Sequence, residues 1–216
     1  VAVGMSAGNE NQGFSSVAVG RSAGAGCQGH SSVAIGHSTG RVCQDWDAVA
    51  VGAHAGEYCQ HHSTVAVGHS AGQCYQGSHA VAVGKGAGGN CQGHSSVAIG
   101  HIAGLYCQNC DSVAIGSQSG KYYQGNGPWS SGGAIAIGSF AGRCCQQYNA
   151  VAIGKCAGNC SQGFLSVAIG KAAGACSQGH SSVAIGHRSG VCCQGYDSVA
   201  VGTGAGQYQQ CNGATA

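Results

Sequence analysis

The stretch VAIGHSTGRVCQDWDA, residues 33–48, decides the fold because the next sixteen residues, VAVGAHAGEYCQHHST, repeat its pattern. The shared unit is [V/I]-A-[V/I]-G-x-x-[A/S/T]-G-x-x-x-Q-x-x-x-x. It begins thirteen times along the 216-residue chain, at residues 1, 17, 33, 49, 65, 81, 97, 113, 135, 151, 167, 183 and 199. Self-similarity at a short fixed period is typical of a solenoid, in which each unit forms one coil.

β-Branched residues flank an alanine in every unit, and glycine follows at positions 4 and 8 of the repeat, which favours strands and turns over helix. One step, from Val113 to Ile135, is six residues too long, and the extra residues lie within 125–134. Insertions in solenoids map to corners, so we expect a corner loop there. The sequence therefore predicts an all-β, parallel β-solenoid of thirteen 16-residue coils, forming a single domain over residues 1–216.

Alternation along a strand places positions 1 and 3, which are Val or Ile, on one face and the alanine of position 2 on the other. The larger side chains are expected to face inward. The alanine row is then a flat, uncharged contact face, buried against a second copy, another face of the same coil, or ice. The alternative is that it packs inside a wide coil. The row includes Ala18, Ala34, Ala50, Ala66, Ala82, Ala98 and Ala114.

Position 12 is glutamine in every unit. A primary amide both donates and accepts, so stacked glutamines can bond along the solenoid axis. We predict an amide ladder that locks the register of the coils, with a binding row as the alternative. The ladder consists of Gln12, Gln28, Gln44, Gln60, Gln76, Gln92, Gln108, Gln124, Gln146, Gln162, Gln178, Gln194 and Gln210.

The chain has 15 cysteines, a density that favours an oxidising compartment. Stacked Cα atoms about 4.8 Å apart fall inside the disulfide range of about 4.4–6.8 Å. The alternative is a column of reduced cysteines that act as small hydrophobic residues. The candidate disulfides between neighbouring coils are Cys27–Cys43, Cys91–Cys107, Cys144–Cys160 and Cys176–Cys192.

Two further columns are candidates for binding. Position 5 is mostly basic and is expected to be a solvated edge, or a grip for an acidic glycan. It holds Arg21, His37, His69, Lys85, His101, Lys155, Lys171 and His187. Position 14 mixes histidine with aromatic residues, which indicates a glycan-binding or assembly seam. It holds Phe14, His30, Trp46, His62, His94, Tyr148, Phe164, His180 and Tyr196. Asn159 begins the one N-glycosylation sequon.

Several function classes find no support in the chain. Its net charge of +2 does not favour nucleic acid, and it has no apolar run of the roughly 18 residues that a membrane helix needs. The Cys107–Cys110 CxxC motif lacks the second pair that a zinc site would use. We therefore predict no metal, no cofactor, no membrane span and no enzymatic activity.

The runs Ser31–Gly40 and Ser95–Gly104, which share Ser-Ser-Val-Ala-Ile-Gly, resemble the head repeats of YadA-like trimeric autotransporter adhesins. The resemblance implies a left-handed parallel β-roll, side-by-side trimers and a surface location. The 16-residue period is also similar to that of bacterial ice-nucleation proteins.

Taken together, these features predict a structural protein: a rigid, disulfide-stiffened fibre or appendage that is extracellular, on a cell surface or on a virion. Its main partner is expected to be itself, through end-to-end or side-by-side contacts. The alternatives are an ice-binding solenoid that uses the flat Ala/Ser face, and an adhesin that binds surface glycans.

Overall fold

A computed structural model of the chain describes residues 1–126 and 132–216. Residues 127–131, which belong to the predicted insertion at 125–134, lie outside the described residues. The chain divides into two compact units, Val1–Tyr106 and Cys107–Ala216. All regular structure in the described ranges is β-strand, without a helix. The predicted parallel β-solenoid with a 16-residue spacing is confirmed, whereas the single domain over residues 1–216 stays a prediction.

Each coil contributes a short strand from positions 1–3 of the repeat. In the first unit these are β1 (Ala2–Val3), β2 (Val17–Val19), β4 (Val33–Ile35), β6 (Val49–Val51), β8 (Val65–Val67), β10 (Val81–Val83) and β11 (Val97–Ile99). In the second unit they are β13 (Val113–Ile115), β15 (Ile135–Ile137), β17 (Val151–Ile153), β19 (Val167–Ile169), β21 (Val183–Ile185) and β22 (Val199–Val201). Within each unit these strands pair in parallel with alanine opposite alanine, as in Ala66↔Ala82 and Ala152↔Ala168.

A second strand ends at or just after the glutamine of position 12. In the first unit these strands are β3 (Cys27–Gln28), β5 (Cys43–Gln44), β7 (Tyr58–Gln60) and β9 (Cys74–Gln76). The others are β12 (Tyr106–Gln108), β14 (Tyr122–Asn126), β16 (Cys144–Gln147), β18 (Ser161–Gln162) and β20 (Ser177–Gln178). Glutamine lies opposite glutamine in the parallel pairs, as in Gln28↔Gln44 and Gln162↔Gln178.

The core of each unit is made of alanine, which reverses the expected orientation of the strands. Ala50, Ala66 and Ala152 at position 2 have no exposed surface, and neither have Ala55 and Ala71 at position 7. Val and Ile at positions 1 and 3 lie on the outside, half-buried or exposed. The prediction that the larger side chains face inward was therefore wrong. Small residues at positions 2, 7 and 16 leave an interior too narrow for Val or Ile.

Glutamine takes the place of a bulky apolar residue in this narrow interior. The Gln146 Nε2 atom donates to the carbonyl oxygens of Ile135 at 2.8 Å and Ala150 at 2.9 Å, both in its own coil. Gln76 makes the same two bonds, to Val65 at 2.9 Å and Ala80 at 3.0 Å. The straight side chain thus joins position 12 to the first strand of the coil and to the residue that closes the coil.

Two glycines of each repeat are required by these close approaches. Gly154, at position 4, has φ +125°, and a Cβ there would lie 2.7 Å from the carbonyl oxygen of Gly170 in the next coil. Gly56, at position 8, has φ +51°, and its Cβ would lie 2.7 Å from the Gln60 Oε1 atom. Glycine therefore turns the corner at position 4 and makes room for the buried amide at position 8.

Candidate functional site

The outward rows of positions 1 and 3 form a continuous apolar surface in each unit, which we call the Val/Ile face. Ile35 is 40 % exposed, Ile99 is 38 % exposed and Ile185 is 37 % exposed, and the Val residues of position 1 are half-buried in most coils. Every residue of these two rows is Val or Ile, so the face carries no charge. Extended apolar patches of this kind mark interaction surfaces.

The alanine row, which was predicted to be a contact face, lies in the interior of the coil. Ala18, Ala34 and Ala114 are completely buried, as are Ala50, Ala66, Ala82 and Ala98. They pack inside the coil against the alanines of position 7, such as Ala23 beside Ala18 and Ala34. Of the expected surfaces for the alanine row, another face of the same coil is therefore the one that the structure contains. The alanine row offers nothing to a second copy or to ice.

The basic line at position 5 is solvent-exposed along its length, from Arg21 to His187. It follows the glycine after each first strand, so a line of basic residues, four of them Arg or Lys, borders the Val/Ile face. In the first unit this edge also carries a group of histidine rings. The His54 ring lies 5.3 Å from the His37 ring and 6.0 Å from the His69 ring, measured between centroids.

The glutamine column has a different hydrogen-bond pattern in the two units. In the first unit, amide–amide bonds run along the column from Gln12 to Gln76, with Nε2–Oε1 distances between 3.2 Å and 3.5 Å. In the second unit, the Nε2 atoms of Gln146, Gln162 and Gln178 donate to backbone carbonyls. Their Oε1 atoms are buried without a hydrogen-bond partner among the described residues. The predicted ladder residues are thus stacked and buried, and their strongest bonds tie each coil to itself.

The candidate disulfide residues lie on the outer surface near the second strands. Cys27 lies opposite Cys43 in the β3–β5 pair. The sulfur atoms of Cys176 and Cys192 are 3.9 Å apart, which exceeds the S–S bond length of about 2.05 Å. Cys91 and Cys107 are both exposed. Seven of the candidates are present as thiols: Cys27, Cys43, Cys91, Cys144, Cys160, Cys176 and Cys192.

The environment of several thiols favours their protonated form. Burial raises the pKa of Cys43 above the ordinary value of 9.0, and Cys59 and Cys27 add to the effect. Burial likewise raises the pKa of Cys74, with a contribution from the Glu57 carboxylate. The pKa of Cys176 is raised by burial and then by a hydrogen bond with Cys192. For Cys144 burial again raises the pKa, although Arg143 and Lys121 oppose the effect.

The rings of position 14 contact their neighbours in adjacent coils of each unit. In the first unit the Phe14 and His30 rings are stacked at 5.3 Å with an interplanar angle of 8°. In the second unit the Tyr148, Phe164 and His180 rings are stacked at 5.2 Å and 3.9 Å. The His180 Nδ1 atom also accepts a hydrogen bond from the Phe164 backbone N–H. In the first unit the Trp46 ring is tilted by 57° to the His30 ring and by 66° to the His62 ring, and Trp46 is 57 % exposed. The stacked rings of the second unit present mainly their edges to solvent, whereas sugars stack on ring faces.

One polar cluster of the first unit was missed by the sequence analysis. The Glu57 carboxylate is buried and lies 3.2 Å from Arg41 Nε and 3.0 Å from His54 Nδ1. It also accepts a hydrogen bond from Gln73 Nε2 at 3.0 Å. Arg41, Glu57 and Gln73 all occupy position 9 of consecutive coils. The sequence does contain a signal for this cluster, namely complementary side chains spaced sixteen residues apart. Stacking of the coils brings such side chains together.

The remaining candidates do not form a site. Asn159 is half-buried, and its Nδ2 atom lies 4.0 Å from the Cys160 sulfur atom. Glycosylation of Asn159 stays a prediction. Across residues 1–126 and 132–216, no group of three His, Cys, Asp or Glu side chains could hold a metal ion.

Comparison with known proteins gives no assignment. No protein-family model matches the chain, and neither a curated protein nor a solved structure does so. Within the described ranges, the chain has no helix of the length and hydropathy needed to cross a membrane.

Proposed function

We propose that this protein is a structural β-solenoid whose copies associate side by side through their Val/Ile faces. The observation that carries the proposal is the outward orientation of two rows of β-branched residues on every first strand. A solvent-facing strand of a monomer usually alternates in polar residues. Here the polar and small residues are inside, and the exposed rows are uniformly apolar.

A second copy is the partner that fits this face best. The face repeats with the spacing of the coils, about 4.8 Å, so an identical face has the matching spacing. It has no charge that would require a complementary partner. The Arg and Lys residues at position 5 border one side of the face, so two copies avoid repulsion when these edges lie on opposite sides of the contact.

The wider role in this proposal is a rigid extracellular fibre or surface appendage that is stiffened by disulfides between neighbouring coils. The cysteine density supports an oxidising compartment. The register of Cys27 with Cys43 supports cross-linking of adjacent coils. The resemblance to adhesin heads supports a surface location.

The alternatives have less support. An ice-binding role was assigned to the Ala/Ser face, which is buried inside the coil. A glycan-binding role was assigned to the bases of position 5 and the rings of position 14, and in the second unit the faces of these rings are packed against one another.

Sedimentation velocity over a range of concentrations, with and without reductant, tests the proposal. The Ile169→Lys/Ile185→Lys double variant places two charges on the Val/Ile face and should sediment as a monomer where the unaltered chain is associated. The Leu165→Lys/Ser181→Lys variant is the control, since it adds the same charge at exposed turn residues that lie one coil earlier along the chain. An unaltered chain that stays monomeric, or a control that dissociates equally, would contradict the proposal.

A further inference from the structure

Four consecutive coils of the second unit carry a cysteine at position 10 of the repeat, and we call these residues the thiol column: Cys144, Cys160, Cys176 and Cys192. The parallel register of β16, β18 and β20 stacks the coils directly on one another, as Gln146↔Gln162 and Gln162↔Gln178 show. The column is accessible, because Cys160 and Cys176 are exposed and Cys144 and Cys192 are half-buried.

The spacing within the thiol column suits a metal ion held between two sulfur atoms. Two metal–sulfur bonds of about 2.3 Å each, placed end to end, span about 4.6 Å. The coils repeat at about 4.8 Å, and the sulfur atoms of Cys176 and Cys192 are 3.9 Å apart. The Cys176 and Cys192 thiols can therefore reach the required separation by small rotations of their side chains, and the other two adjacent pairs share the same coil spacing.

The linear arrangement of the four thiols determines which metal ions they can bind. A structural zinc ion requires four ligands placed tetrahedrally. Four thiols in one line cannot surround a single ion, and the described residues contain no converging group of three metal-binding side chains. Thiolates are soft ligands that favour Cu(I), and a linear pair of sulfur atoms satisfies its coordination. The geometry therefore matches a soft monovalent cation better than a divalent one.

We propose that the reduced thiol column binds Cu(I), with one ion between each pair of adjacent sulfur atoms. Full occupation takes three ions and displaces the four thiol protons: 4 RSH + 3 Cu⁺ → [(RS)₄Cu₃]⁻ + 4 H⁺. The two inner thiolates each bridge two ions, and the two outer thiolates each bind one ion. No electron is transferred in this step. Copper binding and a disulfide exclude one another at the same pair, since a disulfide sulfur atom lacks the required thiolate.

Anaerobic titration with Cu(I), supplied as its acetonitrile complex to the full chain, tests this proposal. The thiols are kept reduced with a phosphine, and bound copper is counted by native mass spectrometry in the presence of a competing Cu(I) chelator. The Cys160→Ser/Cys176→Ser variant leaves no two adjacent thiols in the column and should bind three fewer ions than the unaltered chain. X-ray absorption of the bound copper should show sulfur neighbours that this variant loses.

The Cys156→Ser/Cys211→Ser variant is the matched control. It removes the same number of thiols, and neither residue has a cysteine at its repeat position in an adjacent coil. It should keep the copper content of the unaltered chain. Equal losses in both double variants would overturn the proposal, because copper would then bind to thiols regardless of their arrangement. Circular dichroism verifies that both variants are folded.

Discussion

The strand at positions 1–3 of each coil has an inner side and an outer side that carry different residues. The inner side carries alanine alone, and the outer side carries only Val and Ile. In a wide core the larger side chains would be buried, because burial of apolar area stabilises the fold. Here the coil is so narrow that alanine fills it, and the larger residues are left on the surface. The alanines inside therefore maintain the narrow width of the coil, while the Val and Ile residues outside are available for contacts between molecules.

The largest expected effect comes from a bulky residue on the inner side. Ala152→Leu adds three carbon atoms where the side chain already has no exposed surface. It should destabilise the protein by about 3 kcal/mol, the upper part of the range for overpacked cores. Ile153→Leu, on the outer side of the same strand, should change the stability by less than about 0.5 kcal/mol. Denaturant unfolding of both variants measures the difference, and similar losses for the two would refute the assignment of the faces.

A smaller loss of stability is expected when a buried glutamine of position 12 is replaced by methionine, which has a similar shape. Gln146→Met removes two hydrogen bonds to backbone carbonyls and should cost about 1–3 kcal/mol, at about 0.5–1.5 kcal/mol per bond. Gln44→Met in the first unit should cost more, because Gln44 also bonds to Gln28 and Gln60.

Unfolding by denaturant, monitored by circular dichroism, compares these two variants. Gln147→Met is the control, since Gln147 is next to Gln146 and only half-buried. A loss for Gln147→Met as large as that for Gln146→Met would show that the buried amide bonds are not responsible.

Removal of the buried Glu57 carboxylate should lower the stability by a still smaller amount. Glu57→Gln removes the ion pair with Arg41 and alters the hydrogen bond with His54, and the loss of stability should be about 1 kcal/mol because Arg41 is partly exposed to solvent. Glu10→Gln, at an exposed position, serves as the control. Thermal unfolding at low and high salt measures both variants. A Glu57→Gln variant that is as stable as the unaltered chain at low salt would show that the cluster contributes nothing.

The smallest expected effect concerns alkaline pH. The pKa values of Cys43 and Cys74 are raised on folding, so the folded protein holds their protons more tightly than the unfolded chain. This contribution to stability is present below the ordinary thiol pKa of 9.0 and is lost as the pH rises through the folded values. The reduced Cys43→Ser/Cys74→Ser variant should therefore lose less stability than the unaltered chain between about pH 7 and about pH 10. Equal losses in both proteins would contradict this origin.

Periodicity was sufficient to predict the coils, the parallel strands and the column of glutamines, because each of these depends only on stacking at a constant interval. The side of the strand that faces inward was not predicted correctly. The rule that larger residues are buried ignored the small residues of positions 7 and 16, such as Ala55 and Ser32, which together leave space only for alanine. The Glu57 cluster was missed because Arg41, Glu57 and Gln73 occupy a column whose residue types differ from coil to coil, and His54 lies in another column.

Hydroxyl-radical footprinting with residue-level mass spectrometry, on dissociated and associated protein, distinguishes the two sides of the strands and shows whether the outer side is buried on association. Ile153, Ile169 and Ile185 should be oxidised in the monomer and protected on association. Leu165 and Tyr196, which are exposed outside the Val/Ile face, should be oxidised in both states. Protection of the isoleucines in the monomer would contradict the outward orientation of the Val/Ile face, and their continued oxidation in the associated protein would contradict its role in self-association.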